Sequence, residues 1–271
     1  MTDLYAVIGN PIAQTKSRRI HAAFARQVGH DLRYEAILAP RDGFAAAVAA
    51  FRVAGGKGLN VTLPFKLDAF ALATERTERA EQAGAVNTLK FAGTTVLGDN
   101  TDGAGLVHDI RDRLGFAITG KRLLIMGAGG AVRGVALPLL RENPASITIA
   151  NRTLEKALAL ERRFAPFGRL DAGDYARLAG REFDLLINAT SASLSGELPP
   201  LPDGVFARGS LAYDMVYGNG PTRFLEHAGG HGAAKVADGL GMLIAQAAES
   251  FLLWRGVRPD IEPVLEMLRE R

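Results

Sequence analysis

The chain has 271 residues, 48% of them hydrophobic, which can fill one large core or two modest ones and makes two domains the better expectation. Charged residues are 23% with a net charge of +3 and no run of five like charges, which argues against a nucleic-acid or anionic-membrane surface. The absence of cysteine excludes disulfides, thiolate metal sites and a cysteine nucleophile.

The N-terminal "MTDLYAVIGNPIA" has no basic region followed by a long apolar run, so it reads as mature structure rather than a signal peptide. Strand-like runs at Tyr5 to Ile8, Arg33 to Leu38 and Gly58 to Thr62 alternate with helical patterns at Ser17 to Val28 and Arg41 to Ala54. Such alternation predicts right-handed crossovers and a mainly parallel sheet. In "GLNVTLPFK" Leu59, Val61 and Leu63 alternate with Asn60 and Thr62, and Pro64 stops the ladder because it has no N–H to donate. That strand end gathers Asn60, Thr62 and Lys66, a polar set that suits a polar ligand. Ala85 to Phe91 and Thr95 to Gly98 surround "AGT" and predict a hairpin.

After the helical spacing of "DNTDGAGLVHDIRDRL", a second βα series begins at "KRLLIMGAGGAVRG" and continues through "ASITIANRT", "FDLLINAT", "SLAYDMVY" and "AAKVAD". It predicts a separate nucleotide-binding domain. The last two helices, Leu240 to Trp254 and Asp260 to Arg269, carry enough apolar surface to fold back on the first domain. The most apolar of these segments is interrupted by Gln246 and Glu249 and falls short of the ~20 residues a bilayer crossing needs. A cytoplasmic soluble protein is the expectation. No His, Asp and Glu cluster has metal-ligand spacing, so no metal is expected.

"LLIMGAGGAVRG" is a buried-strand run, a glycine turn and a helix start. Gly127 permits the tight turn, Gly129 and Gly130 let backbone approach a pyrophosphate, and the helix N-terminus offers free N–H groups. Val132 stands where the third glycine of the usual pattern would be. An NAD site places an acid about 20 residues on. Here Asn151, Arg152 and Thr153 occupy that place, with Lys156 one turn later. A guanidinium suits a 2′-phosphate, so NADP is favoured over NAD. Asn151 also reads as a cap for the following helix.

With "GNPIAQTKS", "NVTLPFK", "GAVNTL", "GDNTDGAGL", "GAGGAVRG", "NRT", "NATSAS" and "DGLGMLIAQAA" in this order, the chain resembles the shikimate dehydrogenase family over nearly its whole length. The resemblance implies an α/β substrate domain (residues 1–103 and 239–271) closing over a Rossmann NADP-binding domain (104–238), with the active-site cleft between them. It implies reversible, NADP-dependent reduction of 3-dehydroshikimate to shikimate on the path to chorismate and the aromatic amino acids.

By motif position, Thr15 and Ser17 stand where the family holds the substrate carboxylate. Asn60, Thr62, Asn87, Asp102 and Gln246 stand where it binds ring hydroxyls, and Tyr217 resembles a pocket residue. Lys66 falls on the catalytic lysine, paired with Asp102. Gly127, Ala128, Gly129, Gly130 and Ala131 match the phosphate loop, and Asn151, Arg152, Thr153 and Lys156 the 2′-phosphate site. Thr190, Met215, Gly239 and Met242 match positions near the nicotinamide half.

Each has a plainer reading. Lys66 opens the helix "KLDAFALA", where a cation opposes the dipole. Asp102 and Ser17 are natural caps for the helices that follow them. His21 reads as a packed helix residue. Thr15 replaces the more usual serine, Arg18 the usual proline, and Ser193 a common glycine, which would strain a positive-φ position. The rival functions are a quinate or aminoshikimate dehydrogenase of the same family, a methylenetetrahydrofolate dehydrogenase of similar architecture, and a non-catalytic NADP-sensing module. The small-molecule substrate is the expected partner, and the sequence is compatible with a homodimer without fixing the oligomeric state.

Overall fold

The computed structural model describes residues 2–190 and 192–270. The chain forms two compact units, Met1–Gly105 with Leu243–Arg271, and Leu106–Met242.

In the first unit the chain runs β1 (Asp3–Gly9), α1 (Ser17–Val28), β2 (Leu32–Leu38), α2 (Phe44–Val53), β3 (Gly56–Val61), α3 (Lys66–Leu72), β4 (Glu75–Arg76), α4 (Glu78–Ala83), β5 (Thr88–Ala92), β6 (Thr95–Asp99) and the start of α5 (Asp102–His108). Its six-stranded sheet has the order β2-β1-β3-β5-β6-β4. β1 pairs in parallel with β2 and β3, whereas β5 is antiparallel to both β3 and β6. A central parallel strand is covered on both faces, which is why β1 reads as a continuous apolar run and buries its last five residues. The predicted hairpin is present.

The sequence reading missed β4 and α4. Two and six residues are too short to display periodicity; the local marks of the helix were Thr77, whose hydroxyl accepts from the Ala80 N–H, and the left-handed Gly84 that ends it. It also began α2 three residues early, because Gly43 first closes a turn onto the Pro40 carbonyl.

The second unit continues with β7 (Arg122–Met126), α6 (Gly130–Arg141), β8 (Ser146–Ala150), α7 (Leu154–Phe164), β9 (Leu170–Gly173), β10 (Phe183–Asn188), β11 (Phe206–Asp214), α8 (Arg223–Gly230) and β12 (Lys235–Asp238). α9 (Leu240–Arg255) begins in this unit and, with α10 (Glu262–Arg269), ends in the first. The sheet is all parallel in the order β12-β11-β10-β7-β8-β9. This is a doubly wound arrangement whose order reverses between β7 and β10, the place where such sheets bind ligands beyond the strand C-termini. Leu123 and Ile125 face one buried cluster, Leu124 and Met126 the other, so the run "RLLIM" is apolar on both sides.

One predicted helix proved to be two segments. After α5 the backbone widens into a π turn at Asp109–Arg113. The fully buried Asp109 accepts the Tyr213 hydroxyl at 2.6 Å and pairs with Arg113. A periodicity of 3.6 has no signature for such a widening.

Candidate active site and cofactor loop

Within the first unit, Thr62, Leu63, Pro64 and Phe65 separate the end of β3 from Lys66, the first residue of α3. The Lys66 Nζ lies 2.5 Å from Asp102 Oδ2. The two side chains are 27% and 14% exposed, so both are accessible to a small molecule while most of their surface is shielded from water. Asp102 opens α5, and it is not the cap: its own N–H goes to Asn100 Oδ1 at 3.3 Å. Its second carboxylate oxygen accepts Asn87 Nδ2 at 2.8 Å. Asn87 Nδ2 also lies 3.5 Å from Gln246 Oε1, which in turn accepts the Thr101 hydroxyl at 3.3 Å. Four residues predicted from separate motifs, Lys66, Asn87, Asp102 and Gln246, therefore form one hydrogen-bonded group. Gly105 allows the approach of α9, since a Cβ there would lie 2.6 Å from the Gln246 backbone nitrogen.

Asn60 is nearby but turned inward. Its Oδ1 accepts from Tyr34 at 2.6 Å and lies 3.1 Å from His21 Nε2, while its Nδ2 donates to Ser250 at 2.9 Å and Thr88 at 3.3 Å. An amide offers two donor hydrogens and two acceptor sites, and all four are engaged by buried neighbours. His21 is packed, as the sequence reading had it. Burial lowers its pKa to about 3 against the opposing hydrogen bond to Asn60, so the ring is neutral. Neutral imidazole carries one N–H, and the contact with Asn60 Oδ1 assigns it to Nε2, leaving Nδ1 without a partner among the described residues.

Ser17 was read as the α1 cap, but Lys16 holds that position and Ser17 is the first helical residue. The cap function falls to Thr15, whose Oγ1 accepts the Ser17 N–H at 3.2 Å and donates to Ser17 Oγ at 3.0 Å. Thr62 is half-buried, and its Cγ2 would lie 2.4 Å from a Cβ built on Gly9. Sequence reasoning missed Tyr34, Thr88, Thr101 and Ser250. The Ser250 signal was present, because it lies four residues after Gln246 on the same helix face.

In the second unit, Gly127 follows β7 with φ +110°, and a side chain there would lie 3.2 Å from the Ala189 carbonyl oxygen. Gly129 and Gly130 are exposed, and a Cβ on either would meet open space. α6 starts with no side-chain cap and no acid in its first turn, which leaves its N–H groups and dipole available to an anion. Ala128 is buried in the core beneath this loop and Ala131 is half-buried.

At the end of β8, Arg152, Thr153 and Lys156 are exposed. Thr153, not Asn151, is the N-cap of α7; the Asn151 amide instead donates to the Thr153 carbonyl at 2.8 Å. A phosphate-bearing dinucleotide fits this set: open backbone donors for a pyrophosphate, and for a 2′-phosphate two exposed cations, Arg152 and Lys156, with the acid Glu155 between them in the first turn of α7.

Thr190 and Met215 sit on the loops after β10 and β11. Thr190 donates to Asn188 Oδ1 at 2.7 Å, and the Met215 N–H goes to the Asn188 carbonyl. Gly239 packs so closely that a Cβ would lie 2.2 Å from the Met215 carbonyl oxygen. The Met242 side chain is part of the core of this unit, and Tyr217 is half-buried on the loop beyond β11. Ser193 does not strain the backbone: among the described residues the non-glycine with positive φ is Asn143. Ser193 donates to the buried Asp214 at 2.5 Å and accepts from Asn188 Nδ2 at 2.9 Å, tying the two loops together.

Three family models match the chain. The shikimate dehydrogenase substrate binding domain covers residues 7–89, shikimate / quinate 5-dehydrogenase covers 110–195, and the shikimate 5′-dehydrogenase C-terminal domain covers 239–269. The chain is 63% identical to the shikimate dehydrogenase (NADP(+)) of Nitrosospira multiformis, over 99% of this chain and 98% of that one. The chain belongs to the shikimate dehydrogenase family.

The shikimate dehydrogenase of Dechloromonas aromatica is 61% identical over 100% of this chain and 99% of that one. Among solved structures, the shikimate 5-dehydrogenase of Thermus thermophilus in complex with NADP(H) and shikimate has a TM-score of 0.88 at 33% identity, covering 99% of each chain. The fold is shared beyond the shikimate dehydrogenases: a 5-ketofructose reductase of Gluconobacter has a TM-score of 0.87 at 29% identity, again over 99% of each chain. Among the described residues, no helix of this shikimate dehydrogenase family member is long and apolar enough to cross a membrane.

Proposed function

We propose that the chain is an NADP-dependent oxidoreductase that interconverts 3-dehydroshikimate and shikimate, with the first unit as substrate and catalytic domain and the second as the NADP-binding domain. The convergence of Lys66, Asp102, Asn87 and Gln246 is the observation that carries this reading. A polyhydroxylated ring needs several neutral donors and acceptors beside one group that handles a proton, and this set supplies both.

In the reducing direction NADPH supplies the hydride, and negative charge grows on the carbonyl oxygen of the substrate. The Lys66 ammonium donates its proton to that oxygen and stabilises the charge as it develops. Asp102 orients Lys66 through one carboxylate oxygen while Asn87 fixes the other, so the proton-handling pair has a defined direction before substrate arrives. Thr15 and Ser17 offer hydroxyls to the substrate carboxylate. In the oxidising direction the same pair takes the hydroxyl proton back.

On the cofactor side, the 2′-phosphate is assigned to Arg152 and Lys156. Arg152→Ala is expected to raise KM for NADP roughly 10-fold, the cost of a charge-assisted contact, with KM for NAD unchanged. Equal effects on both nucleotides would remove Arg152 from that role.

The test of the function is a parallel assay of shikimate and quinate with NADP and NAD, reading the reduced nicotinamide. The expected order is shikimate with NADP first. A higher kcat/KM for quinate would favour the second reading, for which the extra methyl of Thr15 beside the carboxylate site is the motive. NADP binding without turnover of either acid would point to a sensing module instead. One or two copies of the chain fit this reading equally, because Lys66, Asn87, Asp102 and Gln246 come from one chain. A cytoplasmic setting belongs to the same proposal.

A further inference from the structure

Asp214 ends β11 in the second unit, is wholly buried, and takes no part in the proton chemistry proposed above. Among the described contacts its partners are all neutral donors. Oδ2 accepts the Ser193 hydroxyl at 2.5 Å, the Thr222 hydroxyl at 2.6 Å and Asn188 Nδ2 at 3.3 Å, and Oδ1 accepts the Val216 N–H at 3.0 Å. Burying a carboxylate without a cation is costly, and an apolar residue would fill the place without that cost. What the carboxylate does instead is gather three segments onto one side chain. Ser193 comes from the loop after β10, Val216 from the loop after β11, and Thr222 is the N-cap of α8.

Direct contacts carry this tie to the glycine turn. Asn188 ends β10 and lies opposite Asp214 in the strand register. Its Nδ2 is held by Asp214 and by Ser193 Oγ at 2.9 Å, which turns its Oδ1 to Thr190. That oxygen accepts the Thr190 N–H at 3.1 Å and the Thr190 hydroxyl at 2.7 Å. All four hydrogen-bonding positions of the amide are used, and a flipped amide would set N–H against N–H. The Asn188 carbonyl also accepts the Met215 N–H at 2.9 Å. Thr190 in turn borders Gly127: a Cβ on that glycine would lie 3.3 Å from Thr190 Cγ2, and the Ala189 N–H bonds the Met126 carbonyl at 3.0 Å. β7 and β10 flank the reversal of strand order, where such sheets take their ligand.

We infer that Asp214 is a positioning residue for the nicotinamide half of the dinucleotide: through Asn188 and the Val216 N–H it fixes Thr190 and Met215 beside the glycine turn. The inference rests on the function proposed above, which supplies NADP as the ligand. An amide in its place would offer an acceptor oxygen on one side only, leaving at least one donor facing an N–H.

The test is titration of Asp214→Asn with NADP and with adenosine 2′,5′-bisphosphate, which carries the 2′-phosphate but no nicotinamide. Kd for NADP should rise roughly 10-fold, the worth of a charge-assisted hydrogen bond, while Kd for the bisphosphate stays within about 2-fold. A general loss of structure in the second unit would weaken both. Ser193→Ala leaves the carboxylate in place and frees only the loop after β10; it should raise Kd for NADP roughly 5-fold, the worth of a neutral hydrogen bond, and spare the bisphosphate. An unchanged NADP Kd in Asp214→Asn overturns the inference, as does a rise shared equally by the bisphosphate; should that variant not fold, the same two results in Ser193→Ala overturn it. Both readouts are of binding, so a wild-type chain that binds NADP without oxidising shikimate loses the proposed reaction while the Kd values still decide this inference. A wild-type chain that binds no NADP loses both.

Discussion

Lys66→Ala is expected to lower kcat for shikimate oxidation by ~10²–10⁴-fold, the usual worth of a positioned acid or base, with KM for NADP unchanged. The expectation follows from geometry: Lys66 is the cation paired with Asp102, and Asn87 occupies the other carboxylate oxygen. No other lysine or arginine forms an ion pair with Asp102 among the described contacts, so no neighbour replaces the lost proton donor. The variant leaves Asp102 partly exposed and still bonded to Asn87, so the fold should survive and the loss should be one of chemistry. Asp102→Asn should cost less than Lys66→Ala, because the ammonium remains and only its orientation suffers. A Lys66→Ala enzyme with raised KM and normal kcat would make the lysine a substrate ligand and not the proton donor.

Arg79→Met should destabilise the first unit by about 3–5 kcal/mol, read as a lower urea midpoint at constant m-value. Asp99 is 1% exposed and pairs with Arg79, which also lies 3.5 Å from Glu249. Glu249 keeps Arg258 when Arg79 is lost, whereas Asp99 keeps only neutral donors, among them the Thr77 hydroxyl at 2.5 Å. An isolated buried carboxylate is what makes breaking such a pair expensive. The pH dependence has a definite sign. Burial pushes the Asp99 carboxyl up, but Arg79, with help from Thr77 and the Asn100 N–H, outweighs it and holds the group below the usual 3.8. Its contribution to stability is therefore full above the unfolded value and is lost as pH falls through the lower folded value. Wild type should lose this part of its stability on acidification, and Arg79→Met should show a flatter acid limb. An acid limb as steep in the variant as in wild type would mean that other carboxylates govern it.

Much of the architecture was legible because its signals are long and repeated. The glycine turn after "LLIM", the absent acid after β8 and the alternation at Asn60 and Thr62 each have a local cause that survives folding. The meeting of Lys66 with Asp102 was available only through the family resemblance, since no spacing in the chain encodes a contact between residues 36 positions apart. The inward turn of Asn60 was not available at all. It depends on Tyr34 from β2, His21 from α1 and Ser250 from α9 converging beneath β3, and each of these reads alone as an ordinary core or boundary residue. The cap assignments at Ser17 and Asn151 failed for a related reason. Both residue types suit a cap, but Ser17 is already the first helical residue, its hydroxyl accepting from Thr15, and the Asn151 amide donates to the Thr153 carbonyl. The strain expected at Ser193 is absent because its backbone is not in the left-handed region, and its hydroxyl has a partner in Asp214.

A crystal structure of the chain with shikimate bound is the most direct measurement. Lys66 Nζ and an Asp102 carboxylate oxygen should both lie within ~3.2 Å of a single ring hydroxyl, with the substrate carboxylate on Thr15 and Ser17. Shikimate bound with no ring oxygen in reach of Lys66, or with its carboxylate on Lys66 in place of a hydroxyl, would contradict the assignment of the proton donor.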